Sequence, residues 1–313
     1  MRDAGTGRTR SVLTTVGVVL VGSGVLAAAV LAGCDANGGD DPAPHATSGE
    51  ARPSPKPTPL WDRSPNSLAA VGDSITRGFD ACGVLTDCPE ASWATGSESG
   101  VRSLAVRLFG EKQAAARSWN YARSGAAMDD LPGQMRRAAA RSPDLVTVLM
   151  GANDACRSSV SAMTSVKDFK EDFEESLAVL RRQQPKAQVY VSSVPNLKRL
   201  WSQGRGNPLG KQVWKLGICP SMLEDADALD ADAVERRDAV QRRVIDYNEV
   251  LEEVCAGDDR CRYDGGAVFD YRFGTGQLSR WDWFHPSKDG QSRLAEMAFR
   301  AVTARKNPAE SGA

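Results

Sequence analysis

Asp282 and His285 stand three residues apart in Asp-Trp-Phe-His-Pro, and the only other histidine of the chain is His45. A carboxylate at that spacing can reach the far ring nitrogen of the imidazole in a tight turn. There it would fix the tautomer and stabilise the imidazolium. An imidazole held in this way is a general base. A serine hydroxyl is a poor nucleophile until such a base takes its proton. Ser74, in Gly-Asp-Ser-Ile, is the candidate. Attack on an acyl carbonyl also needs donors for the oxyanion. The backbone N–H groups of Ser74 and Gly125 and the side-chain amide of Asn153 would supply three. A glycine at 125 lets the backbone approach closely, and the amide of Asn153 donates without competing for a proton.

Each residue also has a plainer reading. Ser74 alone would be a helix N-cap after a strand. His285 alone would be a surface histidine. Asn153 would be a turn residue, and Asp154 a turn or helix cap. Asp73, beside the serine, reads as a residue that fixes the turn by hydrogen bonds. Trp93, Trp281 and Trp283 divide between pocket lining and core packing. It is their combination that points to chemistry.

The elements that must position these residues follow from periodicity. Leu68–Val71, Ser118–Ala122, Leu145–Met150, Gln188–Val191 and Ala267–Phe269 read as strands. Residues 100–111, 131–141, 165–183, 231–254 and 287–305 read as helices. The run Leu145–Met150 suits a strand buried on both faces. Alternation of this kind predicts an α/β fold: a three-layer α/β/α sandwich on a parallel five-stranded sheet. In such sheets sites form beyond the carboxyl ends of the strands. The segments at 72–75, 120–125, 151–154 and 282–286 should converge there. Residues 196–230, with Trp201, Trp214, Cys219 and Pro220, read as a long irregular excursion. Such an insertion either shapes a substrate pocket or is merely structural.

Four blocks now stand in order: Gly-Asp-Ser at 72–74, the glycine block at Gly125, Gly-Ala-Asn-Asp at 151–154 and Asp-x-x-His at 282–285. This pattern resembles the SGNH, or GDSL, hydrolases over roughly residues 68–300. The resemblance implies a flavodoxin-like sandwich. It implies Ser74 as nucleophile, His285 as base, Asp282 as its orienter, and Ser74, Gly125 and Asn153 as the oxyanion hole. Ser-Trp-Ala-Thr-Gly at 92–96 and Cys156 after the third block are similar to the phospholipase B-like branch, which implies acyl-ester and phospholipid substrates. The activity implied is a serine esterase or lipase. A carbohydrate O-acetylesterase is the enzymatic alternative, and a non-catalytic lipid- or glycan-binding lipoprotein the other. No Gly-x-Ser-x-Gly elbow of the α/β-hydrolase type is present.

The N-terminus reads as an address. Arg2, Arg8 and Arg10 precede an uncharged stretch, 12–31, of apolar and small residues. Leu31-Ala32-Gly33-Cys34 looks like a bacterial lipobox, with cleavage before Cys34 and lipid on its sulfur. An uncleaved anchor or a plain secretion signal are the alternatives. Residues 34–65, with six prolines from Pro42 to Pro59, read as a tether, and His45 as a solvated residue within it. The hydrolase domain is expected over 66–306 and a disordered tail over 307–313. High Arg and Ala usage suits an actinobacterial chain. The protein is expected outside the cell membrane, held there by the lipid on Cys34.

Six further cysteines remain: Cys82, Cys88, Cys156, Cys219, Cys255 and Cys261. An even number in an exported domain suggests three disulfides. Fifteen pairings are open. Local closure favours Cys82–Cys88 and Cys255–Cys261, with Cys156–Cys219 as remainder. No pair has Cys-x-x-Cys spacing and the histidines are not placed to help, so no metal is expected. No organic cofactor is needed by the chemistry. Lys and Arg number 39 against 40 Asp and Glu, for a net charge of −1. That balance leaves no basic footprint for nucleic acid. An acyl ester is the expected partner, and the protein is expected to be a monomer.

Overall fold

The computed structural model describes residues 60–311. The expected signal sequence, Cys34, His45 and most of the expected tether lie outside the described residues. The five strands are β1 Leu68–Gly72, β2 Ser118–Asn120, β3 Leu145–Leu149, β4 Gln188–Val191 and β5 Cys261–Tyr263. All pair in parallel, in the order β2-β1-β3-β4-β5. Every residue of β1, β3, β4 and β5 is buried. This is why β1 and β3 read as continuous apolar runs: both faces of the sheet are covered.

The helices are α1 Leu104–Phe109, α2 Glu111–Arg117, α3 Leu131–Ala139, α4 Ala152–Ala155, α5 Val166–Gln183 and α6 Leu197–Gly204. They continue with α7 Pro208–Trp214, α8 Pro220–Leu223, α9 Ala231–Ala256, α10 Ala267–Asp270 and α11 Lys288–Thr303. In one layer α3 packs on α5 and α5 on α9; elsewhere α1 packs on α11, which also reaches β4. The result is the three-layer α/β/α sandwich. On α5 the stripe Phe169, Phe173, Leu177, Leu180 is buried, and Phe169 stacks on Tyr247 of α9 at 4.0 Å between ring centroids. Ser165, Asp230 and Ser287 cap α5, α9 and α11 by accepting backbone N–H bonds from the first turn.

The fold departs from the expectations in five places. The fifth strand is Cys261–Tyr263 and not 267–269. Its middle residue is a buried arginine, Arg262, whose guanidinium lies 4.3 Å over the Trp61 ring, so no apolar run advertises the strand. The apolar Ala267–Phe269 instead begins α10, where Ser193 Oγ takes the N–H groups of Val268 and Phe269. The expected helix 100–111 divides at Gly110, whose φ of 76° ends α1 and starts α2.

Trp61, expected within the tether, belongs to the folded domain. Trp61 is buried, and its indole N–H donates to the Val302 carbonyl at 2.8 Å. Pro308–Ser311, expected as disordered tail, forms a 3-10 turn packed near Gly265. The excursion 196–230 is helical rather than irregular, carrying α6, α7 and α8. Arg237 of α9, itself buried, holds it by donating to the carbonyls of Asp225 and Ala228, both at 2.7 Å.

Three disulfides join Cys82 to Cys88, Cys156 to Cys219 and Cys255 to Cys261. They fit folding in an oxidising compartment. Among the described residues no helix is long and apolar enough to cross a membrane.

Candidate active site

The order β2-β1-β3-β4-β5 reverses direction between β1 and β3, and a crevice opens at such a switch point beyond the strand ends. The turn after β1 carries Ser74. The turn after β3 carries Asn153, on the one-turn helix α4. The segment after β2 carries Gly125. The loop before α11 brings Asp282 and His285 from the far end of the chain. All five candidate residues converge there.

Ser74 Oγ lies 3.0 Å from His285 Nε2. His285 Nδ1 lies 2.5 Å from Asp282 Oδ2. With the neutral ring protonated at Nδ1, Asp282 accepts that proton's hydrogen bond and Nε2 accepts from the serine hydroxyl. Asp282 is itself held by the backbone N–H groups of Phe284 and His285, which donate to Oδ1 at 2.9 and 3.0 Å. The Phe79 ring packs on the imidazole at 5.0 Å, tilted by 57°.

Burial opposes the charged forms of this pair, and each partner overcomes it. Burial alone pulls the imidazole pKa down; the charge and hydrogen bond of Asp282, then the charges of Asp80 and Asp73, hold it above its ordinary value. Burial pushes Asp282 up; the charge and hydrogen bond of His285 and the two backbone donors hold it below the usual carboxylate range. Each partner thus stabilises the charged form of the other.

Ser74, Gly125 and Asn153 line one cavity of about 200 Å³. Gly125 sits at φ 79°, in the left-handed region where a side chain is strained. One N–H of the Asn153 amide donates to the Ala126 carbonyl at 2.9 Å. That bond fixes the amide and leaves its second N–H for another acceptor. The rest of the cavity is mainly apolar: Ile75, Phe79, Leu197, Leu200, Ile218, Phe284 and the Cys156–Cys219 cystine. The excursion therefore supplies a wall.

Neighbouring residues hold the serine turn in place. Gln134 of α3 takes the Gly72 N–H at 2.8 Å and donates to its carbonyl at 2.9 Å, closing off the end of β1. Asp73 accepts from the Ile75 N–H at 2.9 Å, and burial raises its pKa to about 7. Gln291 of α11 donates to the Ile75 carbonyl at 2.8 Å. Asp154 takes the Met128 N–H and the Thr164 hydroxyl, tying α4 to the segment after Gly125. Burial raises it to about 6. Trp93 is core, its indole donating to Thr76 Oγ1 at 3.2 Å. Trp281 and Trp283 are half-buried and stand outside the cavity lining.

The sequence did not single out Phe79, Asp80, Gln134, Leu200, Ile218 or Gln291. Gln134 and Gln291 are buried amides inside otherwise amphipathic helices, and that mismatch was the available signal. Asp80, Asp282 and His285 offer ligand atoms within 4.8 Å of one another. Both ring nitrogens of His285 are already engaged, by Asp282 and Ser74, so this trio does not suit a metal ion.

A model of the GDSL-like lipase/acylhydrolase family matches residues 68–298. The chain belongs to that family of ester hydrolases. It is 25% identical over 225 residues to the membrane-associated phospholipase B1 of Mus musculus, a match covering 60% of this chain and 15% of that protein. Among solved structures it is similar to LAE5, an alpha/beta hydrolase enzyme from the metagenome of Lake Arreo, Spain. Identity there is 21%, coverage 76% of this chain and 94% of the other, and TM-score 0.48. It is also similar to phospholipase A1 from Streptomyces albidoflavus NA297. That match has 20% identity, 77% and 100% coverage, and a TM-score of 0.44.

Proposed function

We propose that this chain is an exported serine esterase of the lipase type, cleaving carboxylic esters through an acyl-enzyme on Ser74. One observation carries the reading: the run Ser74–His285–Asp282, at 3.0 and 2.5 Å, opens onto an apolar cavity. Ser74 Oγ attacks the acyl carbon while its proton passes to His285 Nε2. The carbonyl electrons move onto oxygen, where the N–H groups of Ser74 and Gly125 and the Asn153 amide receive them. Collapse breaks the bond to the alcohol, which leaves with the proton from His285. Water then gives a proton to the same nitrogen and attacks the acyl carbon. Ser74 departs with that proton and the carboxylic acid is released. Asp282 keeps the ring oriented and offsets the imidazolium throughout.

The apolar lining favours the acyl chain as the group held. Cys34 is inferred to carry a lipid, holding the enzyme outside the membrane; the lipobox residues support this, and the disulfides agree with an exported domain. Radiolabelled palmitate incorporation lost in Cys34→Ala would bear on the anchor. The catalytic test is hydrolysis of aryl esters from acetyl to palmitoyl, beside Ser74→Ala. Activity confined to the wild type supports the reading. Equal rates in both proteins, or none on any ester, would reject it. A profile confined to acetyl esters would turn it toward a carbohydrate acetylesterase.

A further inference from the structure

Asp80 has no part in the steps above, and its surroundings leave it unsatisfied. The side chain is fully buried, and neither carboxylate oxygen has a hydrogen-bond partner. The Asp282 carboxylate and the Leu85 N–H both approach it closely without completing a well-formed hydrogen bond. A buried carboxylate in that state is costly. Its backbone, by contrast, is held firmly in an unfavourable place. Asp80 sits at φ 58°, in the left-handed region. Its N–H donates to the Thr86 carbonyl at 2.9 Å, and its carbonyl accepts from Ser279 Oγ at 2.6 Å. Ser279 belongs to the loop that carries Asp282 and His285, and the Ser279 N–H donates to the His285 carbonyl at 2.7 Å. Cys82–Cys88 closes the loop just beyond. The fold thus spends backbone strain to keep this carboxylate against the catalytic loop. One oxygen of Asp80, one of Asp282 and one nitrogen of His285 all lie within 4.8 Å of one another.

We propose that Asp80 is a positioning residue of the base: a second carboxylate set against the Asp282–His285 pair, which stabilises the imidazolium formed when Ser74 gives up its proton. The inference rests on the esterase reading. It accounts for a buried carboxylate that no hydrogen bond satisfies, since the group it faces is the imidazole that becomes a cation when Ser74 gives up its proton. The charged groups turned toward His285 are Asp282 from its own loop, Asp80 from the turn just before the Cys82–Cys88 loop and Asp73 from the turn after β1, with Asp154 beyond Asp73. Burial, then the charge of Asp282, raises Asp80 to about 6. Above that pH it is an anion. Asp80 is not among the residues lining the cavity, so it acts through His285 and not on substrate.

The test is Asp80→Asn in the full-length protein, which keeps the shape and removes the charge. KM for an aryl ester should hold while kcat falls roughly tenfold, and the acid limb of kcat/KM should move about one pH unit lower. Chemical unfolding should show no loss of stability, because the deleted charge had no partner. With only two histidines in the chain, His45→Gln leaves His285 as the sole imidazole, so its ring resonances are assigned without ambiguity. Its titration midpoint, read in a Ser74→Ala background, should fall by the same unit in Asp80→Asn. An unmoved midpoint, or an unmoved acid limb, would overturn the proposal. Asp80→Ser serves the same readouts if the Asn variant does not fold. Full ester hydrolysis by Ser74→Ala would sink the esterase reading instead, a result the imidazole titration does not share.

Discussion

The indole N–H of Trp214 donates to the backbone carbonyl of Asp282 at 2.6 Å, joining the excursion to the catalytic loop. Trp214 closes α7, and both groups are buried. The wall of the cavity is therefore tied directly to the residue proposed to orient the base. Trp214→Phe would leave the carbonyl buried without its donor, at a cost of about 1–3 kcal/mol. We expect a lower unfolding midpoint and a lower kcat. Urea titration beside ester kinetics checks both; an unchanged kcat would mean the loop holds Asp282 unaided.

The pH profile follows from the direction of the His285 shift. The base must be neutral to accept the Ser74 proton, and its pKa lies above the ordinary histidine value. Activity should therefore fall with decreasing pH along a limb above about 6.5. Asp282→Asn removes the charge that does most to raise that pKa, so the limb should move to lower pH. At the plateau kcat should drop by roughly 10⁴, as when a triad acid is replaced by its amide. A limb that stays in place would assign it to another group.

Asn153 donates to Ala126 with one hydrogen and borders the cavity where an oxyanion would form. Asn153→Ala should lower kcat by about 10²–10³ with little change in KM. Because the Ala126 bond is lost too, circular dichroism and a melting curve should accompany the kinetics. A rise in KM with kcat intact would show a binding role in place of oxyanion stabilisation.

Gly151, just before α4, has φ 121°, and a Cβ there would lie 2.7 Å from Val194 Cγ2 and 3.2 Å from the Phe169 ring. Gly151→Ala combines strain with overpacking, and we expect about 2–4 kcal/mol of destabilisation. Asn153 would shift with the helix, so the folded fraction should also turn over ester more slowly. Wild-type stability in a denaturant titration would contradict this.

Leu200 and Ile218 face the acyl cavity from the excursion. At about 200 Å³ the cavity is smaller than the ~300–1,000 Å³ of common ligand pockets. Short and medium acyl chains should be preferred to palmitoyl. Leu200→Ala should move the optimum of the ester series to longer chains, and Ile218→Trp to shorter ones. If neither variant shifts the optimum, the chain is held elsewhere.

Much of this protein was legible in the residue order because its signals are local. β1 and β3 are short apolar runs buried on both faces, and α5 shows its buried stripe as a 3.6-residue period. Asp282 and His285 are paired by a spacing of three, and the blocks at 72–74, 151–154 and 282–285 keep the order of a known family. Other features depend on partners distant in the chain. β5 is a strand because β4 and the Cys255–Cys261 turn make it one, with Arg262 at its centre sheltered by Trp61 some two hundred residues earlier. The helices of the excursion depend on carbonyls gripped by Arg237. Asp80 carries no motif. Its meaning arises only when a strained turn folds against a loop two hundred residues away, because the field at an imidazole is set by what lies near it in space. Sequence determined which groups could react and the layers that carry them; tertiary packing decided which charges surround His285 and the size and lining of the cavity beside it.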